Sequence, residues 1–394
     1  MGEWESARAA SRHSRVLALG AVVVAALVAG AVVMGRWARA PLPDLRVERA
    51  TEDGAPTATP TQVVWPRPQP GLWRFMPDAP LLPRIGHAMV WAGEAVFVWG
   101  GFDLAGLPLT DGALFDPAAG TWERLPPFGV GDTTSSHVAW SGADVYIVSA
   151  TATYLYDPTR EAWTAFVPPP VPDGHILTDQ VVGAGDGVIA LSRPVRDAAT
   201  SRPAMFAIER PDLRWRRLPD PPVPMDDGDV VLTDGDRAMV VGRGSAGRPP
   251  AGTVLDLRRR GARWQEVAAP PGLAARPLVR LLGGMADDGA VLVGVGPSGA
   301  PGYAAVHDGR AWTRTDPPPL PASPQVDGLW VGDGLIVWDR LAGAGAQLDL
   351  RSARWTRFAR SPVADGAPRP AAWTGSTVVT WGGFDPAGAV YRVR

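Results

Sequence analysis

The 394-residue chain contains no cysteine. Disulfides, thiolate metal sites and thiol nucleophiles are therefore excluded. It also contains no lysine and no asparagine, so all 38 basic residues are arginine. With 46 glycines and 42 prolines, this is the composition of a GC-rich coding sequence. An arginine here is accordingly weak evidence for an anion site. The formal charge is −2, and no basic face is concentrated enough to engage nucleic acid. Catalytic signatures are missing too: there is no G-x-S-x-G elbow, no H-E-x-x-H, no P-loop and no S-x-D-x-G-x-T-W box. What is present is ample apolar material, 46% of residues, enough to bury a large core.

Long uncharged runs are scarce, and the one at residues 16–34 stands out. It reads VLALGAVVVAALVAGAVVM, about 28 Å long as a helix and close to the thickness of a bilayer's hydrocarbon core. Arg8, Arg12 and Arg15 precede it, and Arg36 and Arg39 follow. The charge bias predicts a cytoplasmic segment 1–15, a transmembrane anchor 16–34 and an exported body. A cleaved signal peptide is the alternative: Ala38-Arg39-Ala40 offers a small-x-small site, although Pro41 behind it disfavours cleavage. Either way the body is expected on the extracytoplasmic side, as a single-pass protein of the cell membrane or, after cleavage, as a secreted one. Residues 35–70 are rich in Pro, Thr and Ala and read as an extended linker.

From there on, tryptophan sets the rhythm. Trp73, Trp122, Trp163, Trp215, Trp264, Trp312 and Trp355 follow one another at steps of 41 to 52 residues. A period of that size marks a repeat built from one supersecondary unit, a propeller blade being the leading case. Each repeat runs from an apolar segment into a Gly-centred turn such as Asp234-Gly235-Asp236, and then into a short, almost wholly apolar strand such as Val145-Tyr146-Ile147-Val148. Gly and Asp suit tight hairpin turns, and an uninterrupted apolar strand is covered on both faces. A third strand and the tryptophan-bearing fourth complete the unit. Leu72-Trp73-Arg74-Phe75 reads as a fourth strand without its first three, and residues 371–393 as three strands without a fourth. Joined, they make one blade. The expectation is an all-β, seven-bladed propeller over residues 71–394, closed by pairing of the N-terminal strand with the C-terminal three.

Pro83-Arg84-Ile85-Gly86-His87, Trp99-Gly100-Gly101 and Phe115-Asp116-Pro117…Trp122 resemble a Kelch repeat of the galactose oxidase type. Tyr156-Asp157-Pro158…Trp163 is similar to its second half and Trp381-Gly382-Gly383 to its first. The likeness spans roughly residues 71–394, strongest at the two ends. It implies structural roles for these glycines and tryptophans. The family's copper-radical cofactor requires a cysteine and is not expected here; no cofactor and no metal site is predicted.

The candidate binding residues lie in loops. Asp103 and Asp385 each follow a Gly-Gly-Phe segment, in blades one and seven, at the start of the loop between second and third strands. Their plainest role is to cap backbone amides; a cation or a sugar hydroxyl is the functional alternative. Arg193, Arg196 and Arg202 fall in the longest connection of blade three, and Arg243 and Arg248 in the equivalent loop of blade four. Arginine pairs well with carboxylates and phosphates. His87, His137 and His175 sit near the first strands but out of register with one another, which predicts structural roles and no shared metal. No catalytic residue is assigned. The sequence therefore predicts a non-catalytic module that binds a protein or an envelope glycan. The alternatives are a sugar epimerase or lyase on the same ring and a structural partner in an envelope complex.

Overall fold

A computed structural model describes residues 65, 68–128, 137–195, 202–223, 225–226, 228–244, 249–259, 261–323, 325–364 and 366–393. The proposed cytoplasmic segment, anchor and most of the linker lie outside these residues. Among the described residues no helix is long and apolar enough to cross a membrane, and the one helical element is a 3-10 turn, Leu273–Ala275. Val64 to Arg394 form one compact unit.

That unit is a seven-bladed propeller arrangement of seven four-stranded antiparallel sheets. Six blades follow chain order. The seventh is mixed: Trp73–Phe75 pairs with Gly388–Arg392, Trp73 opposite Tyr391 and Phe75 opposite Ala389, beside Thr377–Trp381 and Ala371–Trp373.

The second strands explain why these sequences make blades. Ala95–Trp99, Val145–Val148, Gly289–Val295 and Thr377–Trp381 are almost wholly buried. Successive side chains point to opposite faces of a strand, so one strand serves two cores. Val96 and Val98 pack with Val379 and Trp381 of blade seven, while Phe97 and Trp99 pack with Val145 and Ile147 of blade two. The same division recurs round the molecule. Seven apolar clusters result, one between each pair of neighbouring blades. The fourth strands carry the opposite pattern: Thr121–Arg124 and Arg354–Arg357 leave most side chains in water.

The periodic tryptophans sit on or beside these outer strands and reach backwards. The Trp122 indole N–H donates to the Pro77 carbonyl (3.1 Å), Trp163 to Pro126 (3.1 Å), Trp264 to Pro219 (2.9 Å) and Trp355 to Asp316 (2.7 Å). Each acceptor lies just past the fourth strand of the preceding blade. Trp73 makes the same bond across the chain ends, to Ala359 behind the fourth strand of blade six. Two blades vary it. Trp215 donates to the Thr153 hydroxyl (3.0 Å), and Trp312 is buried against His307.

Two details depart from the sequence reading. Arg193 is not in a loop: the second strand of blade three extends over Gly187–Pro194, pairing with His175–Ala184, and Arg193 stands opposite Ile176. Polar residues at the strand's end read as loop, but the long first strand provides them with a partner. Trp65, in the expected linker, packs on blade one. Its indole donates to the Pro117 carbonyl (3.2 Å), its ring meets Phe115 edge-on, and the Arg74 guanidinium lies 4.0 Å from the ring centre.

Replacing Trp122 by Phe removes the bond to Pro77 and weakens packing on Phe115 and Trp381. The expected loss is about 1–3 kcal/mol in chemical denaturation. Trp264→Phe, at a solvent-exposed copy of the same bond, is expected to cost less than about 1 kcal/mol; a larger loss there than at Trp122 would contradict this account.

Candidate functional site

In an antiparallel blade the connector from the previous blade and the loop between second and third strands emerge at the same end. At that end of blade four they enclose a cleft of about 430 Å³. Pro222 and Met225 of the connector, Pro249 and Pro250 of the loop and Val267 of the outer strand supply apolar walls. Asp226, Asp229 and Glu266 supply carboxylates.

The acidic side of the cleft is held by an internal network. The Asp226 amide donates to Asp229 Oδ2 (2.8 Å) and the Gly228 amide to Asp226 Oδ1 (3.0 Å), local bonds of the kind Asp makes in turns. Arg243, directly after the second strand Arg237–Gly242, locks onto this turn. Its amide donates to Asp229 Oδ1 (2.9 Å), Nη2 donates to Asp226 Oδ1 (2.8 Å), and Nη1 donates to the Leu278 carbonyl of the next connector (2.6 Å). Asp229 is only 5% exposed. Burial, with a smaller push from the Asp226 charge, lifts its carboxyl from the ordinary 3.8 to about 6, against the pull of the Arg243 and Asp226 amides and the Arg243 charge. The cleft thus combines apolar walls, the carboxyl groups of Asp226 and Glu266, and the Asp229 carboxyl lifted to about 6.

Of the described arginines expected to mark a site, Arg243 alone is placed at this cleft, turned inward on carboxylates. Arg193 is half-buried in its strand, with Nη1 donating to the Pro194 carbonyl (3.3 Å). Arg202 is exposed beside the third strand of blade three. Arg196 and Arg248 lie outside the described residues. Asp103 caps its own loop, with Oδ1 accepting from the amides of Ala105 (2.9 Å) and Leu107 (2.8 Å). Asp385 is exposed in the matching loop of blade seven.

Sequence reasoning missed Asp226, Asp229 and Glu266. The available signal was Asp226-Asp227-Gly228-Asp229, an acidic turn directly behind a proline-rich connector. It also missed the buried cations between blades six, seven and one. Arg84 is wholly buried: Nε donates to the Leu82 carbonyl, Nη1 donates to those of Gly100 and Asp111, and the guanidinium pairs with the Asp111 carboxylate at 2.9 Å. Arg369, nearly as buried, donates through Nη1 to the Ala387 carbonyl (2.8 Å). The repeated pair Pro83-Arg84 and Pro368-Arg369 was the readable sign.

His87 lies among these cations and donates Nε2–H to the Trp381 carbonyl (3.1 Å). Burial, then the charge of Arg84, push its pKa down to about 3. It is a neutral structural imidazole. His175 makes its contact within its own blade, 3.3 Å from the Ser192 hydroxyl. Among the described residues no three His, Asp or Glu side chains are grouped to hold a metal.

No family model and no curated protein matches the sequence. Among solved structures the chain is similar to a fungal alcohol oxidase of the AA5 family in complex with copper, at 12% identity and a TM-score of 0.56, over 83% of this chain and 77% of that one. It is also similar to YjhT, at 13% identity and a TM-score of 0.43, over 80% and 95%. At these identities the first likeness establishes the galactose oxidase-like propeller fold alone, and the second adds nothing to it. The residues here do not fit the copper-radical group: there is no cysteine to cross-link, and His87 and His175 are each engaged within the propeller.

The Asp229 shift sets a pH signature. Its folded pKa lies above the unfolded value, so the folded state binds this proton more tightly. The resulting destabilisation is absent below about pH 3.8 and complete above about pH 6. Asp229→Asn removes it. The stability difference, variant minus wild type, is expected to be greatest at pH 7–8 and to shrink by an amount on the order of 3 kcal/mol as the pH falls to 4. Denaturation curves at four pH values measure it; a pH-independent difference would refute the assignment.

Proposed function

We propose that this chain is a membrane-anchored, extracytoplasmic Kelch-like propeller that acts as a binding module without catalysis, with the blade-four cleft as its ligand site. The observation that carries this reading is the cleft's make-up: proline and methionine walls facing carboxyl groups, with the nearby arginine already engaged. Such a lining suits a ligand rich in hydroxyl donors on an apolar framework, as an envelope glycan is. The uncharged segment 16–34 and its flanking arginines support the location. The pairing of Trp73–Phe75 with Gly388–Arg392 supports a ring closed by its two chain ends. The glycine pairs and the Arg84–His87 segment support the Kelch likeness. Asp103, Asp385, Arg193 and Arg202 become secondary candidates, and Arg196 and Arg248, outside the described residues, keep that standing from the sequence alone.

One observation favours a second reading, a carbohydrate-active enzyme of the epimerase or lyase type. A carboxyl lifted to about 6 inside a cleft is suited to general acid–base work at near-neutral pH.

Thermal melting of the protein against a panel of envelope glycans discriminates these readings. A ligand that binds only the folded state at a hundredfold its dissociation constant adds about 2.7 kcal/mol, a shift of several degrees. The expected result is a saturable rise with one glycan class, lost in Glu266→Gln and Asp226→Asn, with the glycan recovered unchanged. Conversion of the glycan would establish the enzyme reading, and a flat response across the panel would remove the cleft as a glycan site.

A further inference from the structure

Exposed apolar side chains scattered singly need no explanation, but several on one rigid surface do. Leu82, Leu104, Leu107 and Phe384 are 62%, 53%, 62% and 56% exposed. All four belong to segments joined where blades seven and one meet. Arg84 bridges Gly383, Ile85 bridges Phe102, and Phe102 bridges Pro108. The Ile85 and Phe102 amides exchange bonds with each other's carbonyls (3.0 and 2.9 Å), and the Gly383 amide donates to the Arg84 carbonyl (2.9 Å). The Leu107 carbonyl accepts from the Asp103 amide (2.9 Å), so the loop that carries Leu104 and Leu107 is closed on itself. Gly101 and Gly383, with φ of +86° and +98°, hold the matching turns of the two loops. A Cβ on Gly101 would stand 2.7 Å from the Ile85 carbonyl oxygen, so the bridge depends on glycine.

The rim's charge is mainly acidic. Two of its cations, Arg84 and Arg369, are buried beneath it and committed to carbonyls, and a third, the exposed Arg124, faces Asp111 at 3.9 Å. Its carboxylates are the exposed Asp385, Asp111, which pairs with Arg84, and the half-buried Asp103, whose Oδ1 takes two amides. An anionic membrane surface is repelled by such a rim, and a glycan finds few donors and one exposed aromatic ring there. A polypeptide that places apolar side chains beside cationic ones matches both the surface and its charge. The four side chains are preset by backbone bonds, which lowers the ordering cost of binding.

We propose that the bridged loops of blades seven and one form a docking platform for a partner protein's segment of mixed apolar and basic side chains. Leu82, Leu104, Leu107 and Phe384 are its apolar contacts, and Asp103 and Asp385 its charged ones. The platform is separate from the blade-four cleft and does not depend on what the cleft binds.

The test uses the full chain in phosphatidylcholine nanodiscs and a fluorescein-labelled peptide of alternating leucine and arginine, read by anisotropy. Saturable binding is expected. It should weaken at least tenfold in Phe384→Ser and in Leu104→Ser/Leu107→Ser, and severalfold in Asp385→Asn with a shallower salt dependence. These surface variants should melt like wild type. Peptides with glutamate for arginine, or serine for leucine, should not bind, and Glu266→Gln should leave the interaction intact. Equal binding to wild type and Phe384→Ser, or equal binding of the glutamate peptide, would overturn the proposal. So would adhesion to phosphatidylglycerol vesicles, or self-association in sedimentation, that Phe384→Ser abolishes while the peptide stays inert; the rim would then serve a membrane or a second copy.

Discussion

The indole N–H that five of the seven outer strands send back to a carbonyl behind the preceding blade is the contact on which the arrangement turns. A blade by itself has two apolar faces and cannot bury either one. The second strands solve this by giving alternate side chains to alternate neighbours. That solution holds only while the blades keep their angular spacing. Five tryptophans fix the spacing at the rim, where the blades are furthest apart, and they do so by satisfying carbonyls that irregular connectors would otherwise present to solvent or leave unpaired. An indole suits the task because it spans the gap with apolar surface and ends in a donor.

This is also why the fold was legible in sequence and the candidate site was not. The latch needs one large residue of one type per blade, so its period survives where every other repeat feature has faded, as in blades three to six. Apolar strands and Gly-centred turns are likewise local patterns. The cleft is assembled from distant pieces: Arg243 meets Asp226 across 17 positions and Leu278 across 35. No spacing rule joins a turn, a loop and the following connector. Arg84 and Arg369 were missed for a different reason. Arginine reads as surface, and only the carbonyl-rich junction between blades seven and one gives it a buried place. Arg193 reads as loop because it is polar, and only its pairing with Ile176 of the long first strand makes it part of the sheet.

Several arginines fasten one blade to the next. Arg210 makes two bonds to the buried Asp144 (2.6 and 2.7 Å), tying blade three to blade two. Arg237 holds Asp234 and donates to the Asp287 carbonyl of the next blade. Arg243 spans Asp226 and the next connector. In a chain whose only cations are guanidiniums, planar multi-donor geometry serves as a fastener between blades. Carboxylates and apolar side chains are then prominent both in the blade-four cleft and on the rim between blades seven and one.

The seating of Trp65 has a mechanical consequence. Trp73–Phe75 contributes only three residues to its sheet and runs antiparallel to Gly388–Arg392. A strand so placed unzips one bond at a time when its leading end is pulled. Tension transmitted along the chain from the N-terminal side meets Trp65 first, held by the Pro117 carbonyl, the edge of Phe115 and the guanidinium of Arg74. Two of these three contacts pass the load into the outer hairpin of blade one, and only the Arg74 contact passes any to the short strand itself. Trp65 acts as a strain relief, like the clamp that keeps a pull on a cable from reaching the soldered joint.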